Sequence, residues 1–222
     1  VYVFDKRDYG ETQYGTEKTG AFRAEFMREC VEDLRSSLRK RDGDLAVRRG
    51  KTEEVVASLV DEYDAEEVVL QTKPATEEFE RERSLREAAY NEGAEMRTFW
   101  THTLHHINDL PIEPRRMQDT FTPWKKEVEA NDEVRDTVET PETFETPTFD
   151  DEIPTLEELG FDDEPTHDER AVLHFEGGET RALERLEEYI GERDRLREYK
   201  ETRNGLVGAD YSSKLSAWLA CG

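Results

Sequence analysis

The sequence has few of the residues on which cross-linked, metal-bound or membrane proteins depend. Its two cysteines, Cys30 and Cys221, give neither a disulfide framework nor a metal-binding spacing. No apolar run reaches the 18 residues that would indicate a membrane-spanning helix. The glycine patterns of dinucleotide-binding and P-loop proteins are also absent. These absences argue against a disulfide-rich module, a membrane span and the usual nucleotide-binding loops.

Lysine is scarce as well, with nine residues among the 31 basic ones, while 55 acidic residues give a formal net charge of -24. Such a balance is typical either of a disordered chain or of a protein from a salt-rich cell. Periodic apolar segments favour a folded chain, so we expect a halophilic, cytoplasmic protein. At molar salt the Debye length falls to about 3 Å, which screens the repulsion between acids.

Apolar periodicity predicts an α/β domain in the first half of the chain. Strands are predicted at residues 1–5, 44–48, 67–72 and 96–100. Helices are predicted between them, at residues 19–41, from residue 52, and from residue 76 to about residue 93. The first helix has an apolar stripe at four-residue steps, formed by Phe22, Phe26, Cys30, Leu34 and Leu38. This alternation is typical of a parallel sheet, whose ligands gather at the carboxyl ends of the strands.

The composition changes between residues 127 and 168, where Thr-Pro pairs and phenylalanines alternate with acids. Prolines every few residues oppose both helix and strand, so an extended acidic linker is predicted, with one helical turn at residues 156–159. A helical region is predicted from residue 177. Its apolar stripe consists of Ala182, Leu183, Leu186, Tyr189 and Ile190. The predicted domains are therefore residues 1–126, the linker at 127–168, and residues 169–222.

Three histidines, His102, His105 and His106, follow the fourth predicted strand. A metal site is conceivable there, since imidazole is a common metal ligand. However, two adjacent histidines cannot both face one centre from regular structure, and no cysteine or carboxylate joins them at ligand spacing. No metal site is therefore predicted, and metal binding is kept as the minor alternative.

The last segment has the pattern of an anion-binding site. Ser212, Ser213 and Ser216 surround Lys214 and Leu215 at the start of an apolar helical stretch. Free backbone N–H groups and the helix dipole favour a negative group at such a start, and the hydroxyls and the lysine add donors. Serines in this position are more often ordinary helix caps. The residues alone leave both interpretations open.

Several segments resemble the photolyase and cryptochrome family. Residues 199–220, YKETRNGLVGADYSSKLSAWLA, are similar to its flavin-binding segment, in which threonine is common where Ser212 stands. Residues 177–189, GGETRALERLEEY, resemble the motif that begins the helical flavin domain. Residues 99–111, FWTHTLHHINDLP, are similar to a segment of the DASH cryptochromes. Stretches between residues 4 and 56 resemble the photolyase-related α/β domain from its second strand onward.

The resemblance implies a Rossmann-like parallel α/β domain, an acidic linker and the start of an all-helical FAD-binding domain. It also implies that the family's first strand and most of its flavin domain are missing from this sequence. The expected activity is light-driven repair of cyclobutane pyrimidine dimers in DNA, with single strands preferred, by electron transfer from reduced FAD. The alternative is a blue-light photoreceptor that binds FAD without repair. A monomer is expected.

The resemblance also assigns residues by their match to the family's motifs. The FAD contacts fall on Tyr199, Ser212, Ser213, Lys214, Leu215 and Ser216. An arginine that meets the DNA backbone falls on Arg203, for which a solvated helix end is the alternative. A folate antenna, 5,10-methenyltetrahydrofolate, would contact Lys73, Glu77 and Glu78, although the family often has an acid in place of the lysine. The catalytic residues are expected beyond residue 222.

Overall fold

The structure, a computed structural model, describes all residues except 13, 118, 163–164, 167, 206 and 222, and only the backbone of residues 114 and 221. The chain divides into two compact units. The first unit comprises residues 1–51 and 142–222, and the second comprises residues 52–141. In the part of the chain that is described, no helix is long and apolar enough to cross a bilayer.

The first unit contains a pair of parallel strands joined by a long helix. Strand β1, Tyr2–Phe4, pairs with β2, Val47–Arg49, and Tyr2 lies opposite Val47 in the register. Helix α1, Ala21–Arg39, connects them, after a 3-10 turn at Lys6–Asp8. The buried core of this unit is formed by Phe4, Val31, Leu45, Val47 and Leu159. Its last member comes from the region after residue 141, so that region completes the core.

The second unit repeats the same arrangement. Strand β3, Glu67–Gln71, pairs in parallel with β4, Glu95–Phe99. Helices α2, Thr52–Tyr63, and α3, Thr76–Asn91, pack on each other, and α4, Phe121–Asn131, ends the unit's regular structure. The buried core consists of Val56, Val60, Leu85, Ala89 and Ala94. The predicted alternation of helices with parallel strands is confirmed, and the strands form small parallel sheets. That all four strands belong to a single Rossmann-like sheet stays a prediction.

The predicted stripe of α1 is wrong in part. Phe22 and Leu34 are exposed, whereas the buried residues are Ala24, Phe26, Val31 and Arg35. An α-helix turns by about 100° per residue, so a strict four-residue repeat drifts by about 40° at each step and leaves the core face. The helix instead has two buried faces. Val31 faces the core beside β1 and β2, and Phe26 packs against Trp218 on the other side.

Residues 142–161, here named the docked connector, contain no strand and only a 3-10 turn at Glu157–Leu159, where a helical turn is predicted. Its polar atoms bind α1 and the segment before β2. Asp44 N–H donates to Thr146 Oγ1 at 2.7 Å, and Phe149 N–H donates to Asp44 Oδ2 at 3.0 Å. The side chain of Arg35 donates to the carbonyl oxygens of Phe149 and Asp151. The connector is therefore part of the packed unit, which its composition does not indicate.

The final region is helical in short pieces. Helix α5, Glu179–Leu186, continues as a π-helix at Glu187–Glu192, and a 3-10 turn follows at Arg195–Glu198. Helix α6 covers Tyr199–Thr202 and α7 covers Ser216–Cys221. The predicted domain boundaries at residues 126 and 168 stay predictions. The first compact unit combines residues 1–51 with residues 142–222, so the two units do not correspond to consecutive domains of the chain.

The predicted apolar stripe of α5 is also wrong in part. Leu183, Leu186 and Ile190 are exposed, while Arg185 and Tyr189 are buried. Arg185 and Tyr189 are four residues apart and share one helix face, at the edge of the predicted stripe. That face lies against backbone carbonyls of residues 209–213, which require a hydrogen-bond donor. An arginine is therefore buried at the edge of the apolar stripe, where periodicity alone does not predict a buried charge.

Candidate anion-binding site

Helix α5 is capped by a side chain of α1. Asp33 Oδ2 accepts the backbone N–H of Thr180 at 3.1 Å, and Oδ1 accepts the Thr180 hydroxyl at 2.7 Å. The local cap position is Gly178, which has no side chain to serve the free N–H groups of the first turn. A carboxylate at a helix N-terminus also interacts favourably with the helix dipole. The start of α5 is thus fixed by a residue 147 positions earlier in the chain.

The two glycines before α5 let the backbone lie directly on α1. A Cβ at Gly177 would be 2.1 Å from the carbonyl oxygen of Phe26 and 2.8 Å from the backbone nitrogen of Cys30. The N–H of Gly177 donates to Glu29 Oε2 at 2.6 Å. Gly178 has a φ of +112°, a conformation that residues with a Cβ rarely adopt. The close approach to α1 leaves no room for a side chain at residue 177, and the backbone conformation favours glycine at residue 178.

Helix α7 reaches the same side of α1 through Trp218. The indole N–H donates to the carbonyl oxygen of Glu176 at 2.9 Å. The indole ring lies 6.2 Å from the ring of Phe26 and 5.4 Å from that of Phe175, measured between centroids. Trp218 therefore anchors the helix that follows the serine cluster to the segment that precedes α5.

The residues predicted to bind an anion lie in and directly after an irregular turn. Ser212, Ser213 and Lys214 precede α7, and Ser216 is its first residue, one position later than predicted. Lys214 has a φ of +60°, in the left-handed region. Within the part of the chain that the structure describes, the three serine hydroxyls bind no protein acceptor or donor. Leu215 directly precedes α7, and its carbonyl oxygen accepts the N–H of Leu219 at 3.1 Å in an ordinary helical hydrogen bond.

Arg185 holds this turn from inside the protein. Its Nε donates to the carbonyl oxygen of Ser213 at 3.0 Å, and its Nη2 donates to that of Ala209 at 2.7 Å. The third donor, Nη1, binds Glu188 Oε2 at 2.7 Å. The guanidinium carbon lies 5.2 Å from the centre of the Tyr189 ring, within the range of a cation–π contact. The turn before α7 is thus bound to the second turn of α5.

The other assigned residues lie apart from this turn in the chain. Tyr199 begins α6 and is 41% exposed, and its carbonyl oxygen accepts the N–H of Arg203 at 2.9 Å. Arg203 is exposed at the end of the same helix. The side chains of the assigned antenna residues are all exposed, at the end of β3 and in the first turn of α3. They are Lys73, Glu77 and Glu78.

The three histidines do not converge on one point. His105 Nδ1 lies 2.8 Å from Asp132 Oδ2, and His106 Nδ1 accepts the N–H of Asn108 at 3.2 Å. The ring of His102 stands edge-on to Trp100 with centroids 6.1 Å apart. Among the described residues, no group of three or more His, Cys, Asp or Glu side chains is arranged to hold a metal ion.

Comparison with known proteins identifies the family. The family model described as DNA photolyase matches residues 1–145, which is more than half of the chain. The chain belongs to the DNA photolyase family. Its resemblance to that family, noted from the motifs above, is thereby confirmed.

Individual relatives of this photolyase-family chain are similar over its whole length. Cryptochrome DASH of Natronomonas pharaonis is 53% identical over 224 residues, covering 100% of this chain and 47% of that protein. The crystal structure of the Synechocystis sp. PCC6803 cryptochrome superposes with a TM-score of 0.92 at 36% identity, over 99% of this chain and 46% of that one. The chain thus spans about half the length of these relatives.

A more distant photolyase has the same fold. The archaeal photolyase from Sulfolobus tokodaii, whose crystal structure contains two FAD molecules, superposes with a TM-score of 0.68 at 19% identity. That alignment covers 99% of this chain and 44% of the other. At this identity the likeness concerns the fold alone.

Two features of the candidate site were not predicted from the sequence. Arg185 lies outside the predicted apolar stripe, although it is only 6% exposed. A signal was available, since Arg185 precedes Tyr189 by four residues and the two must share a helix face. Asp33, which caps α5, carries no comparable signal, because the contact joins residues 147 positions apart.

Proposed function

We propose that this chain is part of a light-driven DNA lyase, and that residues 212–216 bind the pyrophosphate of FAD. The observation that carries the proposal is the set of donors in this segment. In the described part of the chain, the hydroxyls of Ser212, Ser213 and Ser216 have no protein partner, and Lys214 forms no ion pair. Hydroxyl and ammonium groups that the protein leaves unpaired are suited to a phosphate.

The residues present fit such a group. A Cβ at Gly205 would lie about 2.5 Å from the ring of Tyr211, so the chain before the serines folds closely on itself. The segment is tied at one end by Arg185 and at the other by Trp218. A donor set on a fixed backbone loses little conformational entropy when a ligand binds. The remaining assigned contact, Tyr199, is proposed to complete the site from α6.

In the proposed reaction, bound FAD supplies the photochemistry that splits a pyrimidine dimer. The residues of this chain bind and orient the cofactor. Neutral hydrogen bonds from the serines would contribute about 0.5–1.5 kcal/mol each, and a bond from Lys214 about 1.5–3 kcal/mol. The proposed substrate is DNA with cyclobutane pyrimidine dimers, preferably single-stranded, since a damaged base must leave the stack to reach the cofactor. Arg203 is proposed to meet the DNA backbone, where positive charge is required.

A second candidate function is that of a blue-light photoreceptor that binds FAD without repair. It is favoured by the relatives named Cryptochrome DASH, which match the whole chain. The two functions share the cofactor site and differ in catalysis. Illumination of the full-length protein with dimer-containing oligonucleotides separates them, because only the lyase restores intact pyrimidines. A folate antenna at Lys73, Glu77 and Glu78 stays a prediction.

The proposed cofactor site is tested by a double substitution. Replacing Ser213 and Ser216 by alanine in the full-length protein is expected to weaken FAD binding by about one order of magnitude or more, since two hydrogen bonds are lost. Flavin retained during purification, measured by visible absorbance, and titration of the flavin-free form give the affinity. The matched control replaces Ser58 and Ser84, two helical serines of the other unit. Wild-type affinity in the Ser213 and Ser216 variant would contradict the assignment.

The net charge of -24 leads to a proposal about the compartment. We propose a cytoplasm rich in salt, in which screening offsets the mutual repulsion of the acids. The melting temperature of the full-length protein is therefore expected to rise steeply from low to molar KCl. Trehalose at the same osmolality, which does not screen charge, serves as the control. A melting temperature that KCl leaves unchanged would argue against adaptation to salt.

A further inference from the structure

The side chain of Arg185 is buried, whereas the two carboxylates that pair with it, Glu188 and Asp210, are 35% and 30% exposed. Arg185 is 6% exposed, and two of its hydrogen bonds go to backbone carbonyls, those of Ser213 and Ala209. It has two ion-pair partners, Asp210, with Oδ1 at 3.9 Å, and Glu188, which also binds Arg193 Nη2 at 2.7 Å. Burying a cation is costly unless its donors are all satisfied. Two nitrogens of the guanidinium donate to the turn and the third donates to Glu188, which ties the position of the turn to that of the arginine.

The bond to Ser213 fixes the orientation of one peptide group. In a trans peptide the C=O and the following N–H point in opposite directions. Because the carbonyl oxygen of Ser213 points to Arg185, the N–H of Lys214 must point away from it. Among the described residues this N–H has no acceptor. Lys214 then adopts a φ of +60°, which turns the chain toward α7.

The same network holds the other end of the turn. Arg193, which follows the π-helix, donates through Nη1 to both carboxylate oxygens of Asp210 at 3.0 and 2.9 Å. Arg193 also binds Glu188, so Glu188 bridges the two arginines. The π-helix supplies Glu188 and Tyr189, and insertions of this kind occur frequently at functional sites. Residues 209–213 are thereby held from two sides by α5 and the π-helix.

We infer that Arg185 is a positioning residue for the proposed FAD site. It acts through the backbone of residues 209–213, directing the N–H of Lys214 and placing Ser212 and Ser213 for the phosphate. It does not itself contact the cofactor. The inference rests on the proposed function, since it concerns the ligand of the same segment. It goes beyond that proposal by assigning the geometry of the site to a buried residue of α5.

The experiment compares substitutions of two arginines of α5 in the full-length protein. In Arg185→Gln the fork and the charge are lost, and in Arg185→Lys the charge remains but one amine replaces the planar fork. The control is Arg181→Gln, one turn earlier, where the arginine is half exposed and pairs with Glu176 and Glu184. The dissociation constant for FAD is measured by titration of the flavin-free protein, well below its melting temperature. Visible circular dichroism of the bound flavin reports its orientation.

Arg185→Gln is expected to raise the dissociation constant at least tenfold and to change the visible circular dichroism of the flavin that still binds. Arg185→Lys is expected to fall between the wild type and Arg185→Gln, since one amine cannot hold two carbonyls in the same geometry. Arg181→Gln is expected to change the affinity less than twofold. If Arg185→Gln does not fold, the lysine variant gives the decisive measurement.

Two outcomes would overturn the inference while leaving the site proposal intact. One is wild-type affinity and circular dichroism in both Arg185 variants, in a protein whose Ser213 and Ser216 variant binds weakly. The other is a loss of binding that equals the unfolded fraction, which would indicate a purely structural role. If the wild-type protein itself shows no affinity for FAD, the proposed function and the inference both fail.

Discussion

Replacing Gly177 by alanine is expected to lower the free energy of unfolding by about 3 kcal/mol or more. The added Cβ would lie 2.1 Å from the carbonyl oxygen of Phe26, which is part of the backbone of α1 and cannot rotate away. Relief requires the segment to move off α1, which would break the bonds from Gly177 to Glu29 and from Thr180 to Asp33. Urea denaturation of the full-length protein, followed by far-UV circular dichroism, measures the loss.

The control for this substitution is Gly20→Ala. Gly20 precedes α1, has a φ of -90°, and would bring a new Cβ within 4 Å of no other atom. Because Gly20 is the N-cap of α1 and alanine is a poorer cap than glycine, its replacement is expected to cost about 0.5–1 kcal/mol, well below the cost at Gly177. Equal stability of the Gly177→Ala and Gly20→Ala proteins would show that the contact of residue 177 with α1 is looser than described.

Replacing Asp44 by asparagine is expected to destabilise the protein by about 3–5 kcal/mol, the cost of breaking a buried ion pair. The carboxylate is nearly inaccessible and accepts bonds from Arg35 Nε at 3.0 Å and Arg39 Nε at 2.9 Å. It also accepts the N–H groups of Leu45 and Phe149. Without its charge, the buried Arg35 is left uncompensated. The control is Asp42→Asn, an exposed position with a φ of +61° that asparagine tolerates.

The effect of Asp44 on stability is expected to depend on pH. Hydrogen bonds from Arg39, followed by those from the backbone of Phe149 and Leu45, hold the pKa of Asp44 far below its ordinary value. A lowered pKa in the folded state stabilises the protein above the unfolded pKa of about 3.9 and loses that effect as the pH falls below it. The gap in stability between the wild type and Asp44→Asn should therefore narrow below about pH 4. A gap that stays constant down to pH 2 would contradict the role assigned to the charge.

Much of the fold could be predicted because it is encoded locally. Each predicted strand of the first half was found within a few residues of its place, since short apolar runs bounded by turn residues have few alternatives. The start of α7 was placed within one residue for a similar reason. The four-residue stripe of α1 was misleading because phenylalanine and leucine on a helix do not show by themselves which face has a partner.

The rest depends on contacts between distant parts of the chain. The docked connector has the composition of a loose linker, yet its Pro154, Leu156 and Leu159 are buried. Its attachment uses arginine side chains of α1 and backbone carbonyls of the connector, and backbone acceptors leave no trace in a sequence. The same holds for Arg185, whose two carbonyl partners come from residues 24 and 28 positions away. For the proposed cofactor site, the residues could be named from the motif, whereas the contacts of Arg185 and Trp218 that hold the segment are seen only in the structure.

The pairing of α1 with late segments has a consequence for synthesis on the ribosome. The hydrogen bond from Arg28 to Pro154 and the one from Gly177 to Glu29 join residues 126 and 148 positions apart. Each bond can form only after the later residue has been synthesised. At about 5–20 residues per second, translation leaves this interval open for roughly 6–30 s. During that time the core beside β1 and β2 lacks Leu159 and the Phe26 side of α1 lacks Trp218, while the segment of residues 52–141 emerges with its own core complete. Residues 52–141 are thus expected to fold before the contacts of α1 with residues 154 and 177 have formed, so this side of α1 is expected to become protected late.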